Sequence, residues 1–312
     1  MEERMIRPIR EGELEECVRV IRDSFSTVAE AFGLSPENAP RFTAFATTLE
    51  RLAGQYREGR AMFVHVEEDG KVTGYYSLRI QEEGDCELNN LCVLPGRRHA
   101  GIGKRLLEHG LLCASAFGCG RLKLGIVEEN TVLRAWYERF GFLHTHMEKY
   151  DFFPFTCGYM ERPLEFCFFD TEFLTDGEIL LMLDKTVPGS LAEKWLPSYH
   201  FTICDREGHK AGRCDLRIGY SEGVYYGGNI GYRVEEPYRG NHYAGKACRL
   251  LFHLARRHGM DYLVITCNPD NYPSRKTCEY AGGILREIAD LPEDNDMRRD
   301  GETRKCIYEF TI

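Results

Sequence analysis

The stretch with the most chemistry in its spacing is Arg97-Arg98-His99-Ala100-Gly101-Ile102-Gly103-Lys104-Arg105-Leu106-Leu107. An apolar, strand-like run ends at Val93, a loop rich in Gly and Arg follows, and an apolar-periodic helix begins. Glycine permits positive φ and lets a ligand approach the main chain. The free amides and positive dipole end of the following helix favour an anion, and Arg97, Arg98, Lys104 and Arg105 add positive charge. The loop therefore reads as a phosphate binder. It is not a Walker loop, because Arg98 stands at the first glycine position and Arg105 follows Lys104. Nor is it a dinucleotide fingerprint from Gly101, because Leu106 stands at the third glycine. His144 and His146 form an H-x-H pair without an acidic or Cys partner at ligand spacing, so no metal is expected.

The elements that must hold such a loop occur twice. Residues 98–141 align without gaps with 239–282 at a constant offset of 141, with identities at Arg98/Arg239, Ala114/Ala255, Gly118/Gly259, Leu122/Leu263, Asn130/Asn271, Arg134/Arg275, Glu138/Glu279 and Gly141/Gly282. An upstream block keeps an offset of 138, through Gly70/Gly208, Gly74/Gly212, Leu78/Leu216, Arg79/Arg217 and Ile80/Ile218. Ordered matches in two blocks predict two copies of one domain, 1–162 and 163–312, with the aromatic run Phe152, Phe153, Pro154, Phe155 closing the first.

Periodicity gives both copies one element order. The first begins with an extended segment over 6–10, a helix carrying Leu14, Cys17, Ile21 and Phe25, and a mostly helical stretch over 27–59. Strands over 62–67 and 72–80 meet at the hairpin signal Asp69-Gly70. A strand over 86–93, a helix from about Gly103 to Phe117, a strand over 122–127, a helix over 132–140 and a last strand over 142–150 complete it. The second copy has a hairpin over 201–218, a strand over 229–234, a helix over 244–257, a strand over 262–267 and a helix over 274–280. Strands ahead of the strand–helix–strand unit imply a mixed α/β sheet with a parallel pair around each central helix.

The order R-x-x-G-x-G at Arg98, Gly101 and Gly103 resembles the acyl-CoA pyrophosphate loop of the GNAT N-acetyltransferases. Asn130, Tyr137 seven residues later and Phe140-Gly141-Phe142 match that family's second motif. Glu87-Leu88-Asn89-Asn90-Leu91-Cys92-Val93 is similar to the strand that GNAT enzymes lay along the pantetheine arm, and the resemblance covers roughly residues 6–164. The second copy resembles the branch that includes ribosomal-protein acetyltransferases, through Ile230-Gly231-Tyr232-Arg233-Val234, Pro237-Tyr238-Arg239-Gly240 and Asn271-x-x-Ser274.

This resemblance implies two tandem GNAT acyl-CoA N-acyltransferase domains, each a mixed, mostly antiparallel sheet flanked by helices. It implies acetyl-CoA as the cofactor. The residues it assigns to binding in the first copy are Leu91, Cys92, Val93, Arg98, His99, Ala100, Gly101, Ile102, Gly103, Lys104 and Asn130. In the second they are Val234, Arg239, Gly240, Asn241, His242, Tyr243, Ala244, Gly245, Asn271 and Ser274. Glu87 falls where histone-type members carry a general base, and Tyr137 where a hydroxyl protonates the departing thiolate. The second copy departs from the pattern. His242 and Ala244 replace the two loop glycines, so narrower backbone access is expected; Cys278 takes the place of Tyr137, and Gly228 falls opposite Glu87.

The chemistry needs both side chains. A lysine-like ammonium of pKa ~10.4 costs about 4–5 kcal/mol to deprotonate at pH 7. A positioned carboxylate can take that proton, and a tyrosine can return one to the leaving sulfur. The first copy is thus expected to be an N-acetyltransferase moving acetyl to a primary amine by direct attack. Two alternatives remain at this level: a catalytic C-terminal domain beside a structural N-terminal one, and a sensor that holds acetyl-CoA without transfer. Phe32, Phe42, Phe45 and Tyr56 are available to line the acceptor pocket.

Composition bounds the partners. The 312 residues are 43% hydrophobic and 29% charged, which suffices for two packed cores. A net charge of −9 argues against a nucleic-acid binder. No run approaches the ~18 apolar residues of a membrane helix, and the start lacks a charged-then-apolar signal pattern. Thirteen cysteines, an odd number with no C-x-x-C pair, suggest reduced thiols in a cytoplasm. The expected partner is a small-molecule or peptide amine acceptor, without nucleic acid or membrane and with homodimerisation left open.

Overall fold

The computed structural model describes residues 5–81, 84–190, 193 and 195–312. The chain divides into two compact units, Met1–Glu165 and Phe166–Ile312. The sequence places the divide near Arg162, a position inside the last strand of the first unit. Among the described residues no helix is long and apolar enough to cross a membrane.

The first unit runs β1 (Met5–Pro8), α1 (Leu14–Ala31), α2 (Thr43–Ala46), α3 (Leu49–Arg57), β2 (Ala61–Val66), β3 (Val72–Ile80), β4 (Cys86–Val93), α4 (Ile102–Ala116), β5 (Arg121–Val127), α5 (Thr131–Arg139), β6 (Leu143–Lys149) and β7 (Thr156–Pro163). Its seven strands form one sheet in the order β1-β2-β3-β4-β5-β7-β6, antiparallel except between β4 and β5. Strand alternation sends neighbouring tyrosines of β3 to opposite faces. Tyr75 packs with Cys17, Val20 and Ile21 of α1, and Tyr76 shares a 2.6 Å hydrogen bond with His109 of α4. Gly110 keeps this contact close, since a Cβ would lie 3.3 Å from the Tyr76 ring.

The parallel contact is short. Only Cys86↔Leu122 and Glu87↔Lys123 pair, after which β4 and β5 part. This closed end is clamped by Asp85, which lies 2.6 Å from Lys123 and 2.9 Å from Arg121. A Cys86–Cys119 disulfide adds a covalent tie and corrects the expectation of uniformly reduced thiols. The turn after α4 carries Cys119 beside the start of β4 at a Cα separation of 5.9 Å, within bridging range. The other eleven cysteines form no disulfide. The expected last strand over 142–150 is β6, an exposed edge strand; β7 inserts between β5 and β6 and closes the sheet instead.

The second unit runs β8 (Ile179–Val187), β9 (Ser198–Asp205), β10 (Lys210–Arg217), α6 (Glu222–Gly227), β11 (Ile230–Val234), α7 (Tyr243–Arg257), β12 (Tyr262–Cys267), α8 (Tyr272–Ala281), β13 (Ile284–Asp290) and β14 (Arg304–Thr311). The strands form two sheets, β11-β10-β9-β8 and β12-β14-β13, all antiparallel. The expected parallel pair of β11 with β12 is therefore not a ladder. Asn229 replaces it: fully buried, it donates from its main-chain amide to the Val264 carbonyl at 2.6 Å and accepts from the Val264 amide at Oδ1 at 2.9 Å. Its Nδ2 donates to the Gly219 and Arg217 carbonyls at 3.0 and 3.2 Å. Gly228 precedes it at φ +81°, where a Cβ would come 3.2 Å from the Thr266 amide.

The repeated Gly74 and Gly212 have one cause. Each is pressed on the next strand: an added Cβ would lie 3.2 Å from the Cys92 carbonyl oxygen in one case, where it would also meet Leu106 of α4 at 2.8 Å, and 2.4 Å from that of Arg233 in the other.

Two outcomes test these packing claims. Asn229→Ala strands the buried Val264 amide and should cost roughly 1–3 kcal/mol, read as a lower urea midpoint at unchanged slope. Burial pushes His109 down to about 3 from an ordinary ~6.5, so the unfolded chain binds the extra proton between those values. Its contribution is complete above pH ~6.5 and falls by about 1.4 kcal/mol per pH unit on acidification toward pH ~3. His109→Gln should remove that component from the pH dependence of urea midpoints.

Candidate active sites of the two units

Past Glu87 the strands splay, and β4 carries a bulge at the opening. Tyr75 faces Cys92 and Ser77 faces Asn89, so Asn90 and Leu91 together oppose the single residue Tyr76. Asn90 sits at φ +54°, a left-handed conformation that Asn tolerates better than most residues. In the second unit the β10–β11 register runs unbroken from Gly212↔Val234 to Leu216↔Ile230. The bulge belongs to the first unit alone.

The loops that follow share one backbone course. Arg98 Nε donates to the Val93 carbonyl and Arg239 Nε to the Val234 carbonyl, both at 3.3 Å. Arg98 also reaches the Ser24 carbonyl at 2.8 Å and Thr27 Oγ1 at 2.9 Å, tying the loop to α1. Arg97 pairs with Glu67 at 2.9 Å. The basic side chains at Arg97 and Arg98 are thus engaged in holding the loop, which leaves main-chain amides to meet an anion. Those of the first helical turn have no intrahelical acceptor; the backbone bonds of the turn begin with Arg105 N to Gly101 O at 3.1 Å and Lys246 N to His242 O at 3.0 Å.

Each loop has two left-handed positions, filled reciprocally by Gly and His. His99 (φ +65°) corresponds to Gly240 (φ +87°), and Gly101 (φ +81°) to His242 (φ +59°). The His242 ring stacks on Tyr280 at 4.3 Å. The other replaced glycine, Gly103, would place a Cβ 3.8 Å from Val93, ordinary contact that accounts for Ala244 at the same position. Gly245 is the tight position of the second unit, since a Cβ there would meet Tyr280 at 2.4 Å.

Around the first opening, Glu87 is half-buried at the fork, 3.9 Å from Arg79. Tyr137 is buried between the rings of Trp136 and Phe142 at 4.9 and 5.4 Å, and burial, with a smaller effect from Cys92, holds its hydroxyl well above the usual phenol range. Asn130 Oδ1 caps α5 by accepting from the Leu133 amide at 3.1 Å, and Asn271 Oδ1 caps α8 by accepting from the Ser274 amide at 3.2 Å. Phe42 is buried with Val127 and Phe155, where Phe32 and Phe45 also pack; Tyr56 lies in the other core, with α1 and β2. His144 binds Glu128 at 2.9 Å while His146 stacks on Tyr159, a register shift between them separating the pair.

In the second unit a cleft of about 420 Å³ is lined by Val234, Arg239, Gly240, His242, Tyr243, Ala244, Gly245, Asn271 and Ser274 among others. Asn241 instead donates from its side chain to the Tyr238 carbonyl at 3.1 Å. The lining also includes Tyr232, which the repeat gives no reason to single out because its counterpart is Leu91. The Tyr232 hydroxyl shares a 2.8 Å hydrogen bond with Ser274 Oγ and lies 3.9 Å from Cys278 Sγ. Burial raises it too, helped by Cys278.

The loop geometry separates two superficially similar changes. A Cβ on Gly101 would touch nothing within 4 Å, so Gly101→Ala costs only left-handed strain, about 1–2 kcal/mol of stability. Gly103→Ala, helical and sterically tolerated, should leave stability equal or higher in the same urea titration.

Comparison with known proteins agrees with this geometry. The model described as "Acetyltransferase (GNAT) family" matches residues 25–142, and that described as "Acetyltransferase (GNAT) domain" matches 168–284, together about three quarters of the chain. A protein of Mycobacterium tuberculosis (strain ATCC 25618 / H37Rv) named an uncharacterized N-acetyltransferase is 28% identical over 109 residues, 35% of this chain and 70% of that one. Mycothiol acetyltransferase of Beutenbergia cavernae is 33% identical over 121 residues, 36% of this chain and 38% of its own. Among solved structures, PaiA N-acetyltransferase from Thermoplasma acidophilum in complex with coenzyme A aligns at TM-score 0.45 and 20% identity, covering 52% of this chain and 99% of that one. With a family match in each half, the chain belongs to the GNAT N-acetyltransferases, which use acetyl-CoA as acyl donor.

Proposed function

We propose that the first unit transfers acetyl from acetyl-CoA to a primary amine, with Glu87 as base and Tyr137 as acid. The observation that carries this reading is the coincidence, in one unit only, of the bulge at Asn90 and Leu91 with a buried tyrosine on α5. The residues fit the donor. Open space over Gly101, two left-handed loop positions and unpaired first-turn amides suit a diphosphate, and the gap between β4 and β5 suits an extended arm.

When bound, acetyl-CoA supplies the thioester carbonyl that the amine attacks. The Glu87 carboxylate, at the fork where the gap begins, takes the ammonium proton directly or through water. Main-chain amides released from the β3–β4 ladder by the bulge donate to the carbonyl oxygen as it gains charge. The Tyr137 hydroxyl, kept protonated by its burial, delivers a proton to the leaving sulfur. No covalent bond to the protein is needed.

A second reading concerns the second unit, which we take to bind acetyl-CoA as well. Its 420 Å³ cleft surrounds the equivalent loop, and Tyr232 with Ser274 offers hydroxyls where Cys278 has replaced the tyrosine.

Release of CoA thiol with a reactive amine tests the assignment. Tyr137→Phe should lower kcat by ~10²-fold or more. Glu87→Gln should depress kcat/KM most near neutral pH and progressively less as pH approaches ~10, where the amine is already neutral. Rates unchanged in both variants, with transfer lost on substitution of Tyr232 or Ser274, would move catalysis to the second unit.

A further inference from the structure

In the first unit the cross-strand pair Tyr75 and Cys92 is buried in the core that α1 and α3 form against the sheet. The repeat offsets carry this pair to Arg213 on β10 and Arg233 on β11, again directly opposite one another and now exposed. Among the described residues of the second unit no helix precedes β9, so nothing corresponds to α1 or α3. Like charges facing across a ladder destabilise it. Neither arginine, nor the neighbouring Lys185, has an ion-pair or hydrogen-bonding side-chain partner among the described residues. The acids beside them are engaged: Asp215 lies 3.0 Å from Arg217, and Asp184 accepts from the Thr202 hydroxyl at 3.0 Å. All of these except Arg217 and Thr202 line a cavity of about 470 Å³. Arg213, Arg233 and Lys185 thus share one cavity with two carboxylates, Asp184 and Asp215, the second already paired with Arg217, so that basic groups outnumber acids there in a chain of net charge −9.

We propose that this cavity is a binding site for a small organic anion, a carboxylate or a phosphate monoester. Arg213 and Arg233 would grip its oxygens in the paired geometry guanidinium groups favour, with Lys185 adding a point charge. The bound charge offsets the repulsion that the empty pair carries. Tyr232 and Arg233 line both this cavity and the cleft around the second loop, so the anion lies against the strand that borders that cleft. The site does not require the second unit to turn over, and it stands whether or not Tyr137 is the acid of the first.

Isothermal titration of the full-length protein, presaturated with CoA to fill the loops, tests the site. Phosphoethanolamine and succinate serve as separate probes and distinguish a phosphate from a carboxylate ligand. Saturable binding of one probe is expected, weakened roughly tenfold or more by Arg213→Ala or Arg233→Ala and less by Arg213→Lys. CoA affinity should be unchanged in the Arg213 variants, whose residue lies outside the loop cleft, which shows that they fold; for Arg233→Ala, which also borders that cleft, a cooperative thermal melt shows it. Without anion, Arg213→Ala should melt no lower than the wild type, because it removes a repulsion. Failure of both probes to bind, binding that survives the double substitution, or a marked loss of thermal stability on Arg213→Ala would overturn the proposal.

Discussion

The structure of the first unit depends on two parallel strands that are joined at one end and kept apart at the other. β4 and β5 share just two register pairs, and the groups proposed for the chemistry lie at the second of them, Glu87, and beyond. The joined end is reinforced by the Asp85 ion pairs and the Cys86–Cys119 link. The free end exposes main-chain groups that a ladder would otherwise satisfy. Such groups are costly if buried unpaired, which is why an opening of this kind invites an extended polar ligand to complete the hydrogen bonding.

The second unit reaches a similar opening by other means. One asparagine, through its main-chain amide and its side chain, rather than a ladder, ties β11 to β12, and no bulge interrupts β10 and β11. The anion loop is kept with its left-handed positions filled in the opposite order, Gly then His where the first has His then Gly. What diverges is the surroundings of the loop: tyrosine to cysteine on α8, a tyrosine supplied from β11, and a polar sheet face where the first unit has a helix-covered core. The backbone course proposed to hold a diphosphate is preserved while the side chains around it change. That pattern is expected when function resides in sites carried by a shared scaffold.

Much of this was legible in the residues. The turn from Arg97 to Leu107, with a helix behind it, stands where its glycines placed it, and the identities at Arg98/Arg239 and Asn130/Asn271 mark a strand–loop tie and a helix cap that recur in both units. What escaped was set by long-range geometry. The bulge depends on how β4 meets β3, and the sequence around Asn90 alternates no differently on either side. β7 carries Gly, Glu and Arg among its apolar residues and β14 carries Arg, Lys and Glu, so their strand character comes from insertion between two partners rather than from local pattern. The Cys86–Cys119 pairing follows from a turn that brings distant positions together, and no spacing rule reports it. Tyr232 was hidden because its importance comes from reaching across to α8.

The central claim is that CoA lies in the gap of the first unit, held by main-chain amides of β4 and of the loop after it. Hydrogen exchange of the full-length protein with and without CoA reads those amides one by one. The account predicts strong CoA-dependent protection at Leu91 to Val93 and from Ala100 to Lys104, with little change in β1 and β2. Protection confined to the second unit, or absent from β4, would contradict it.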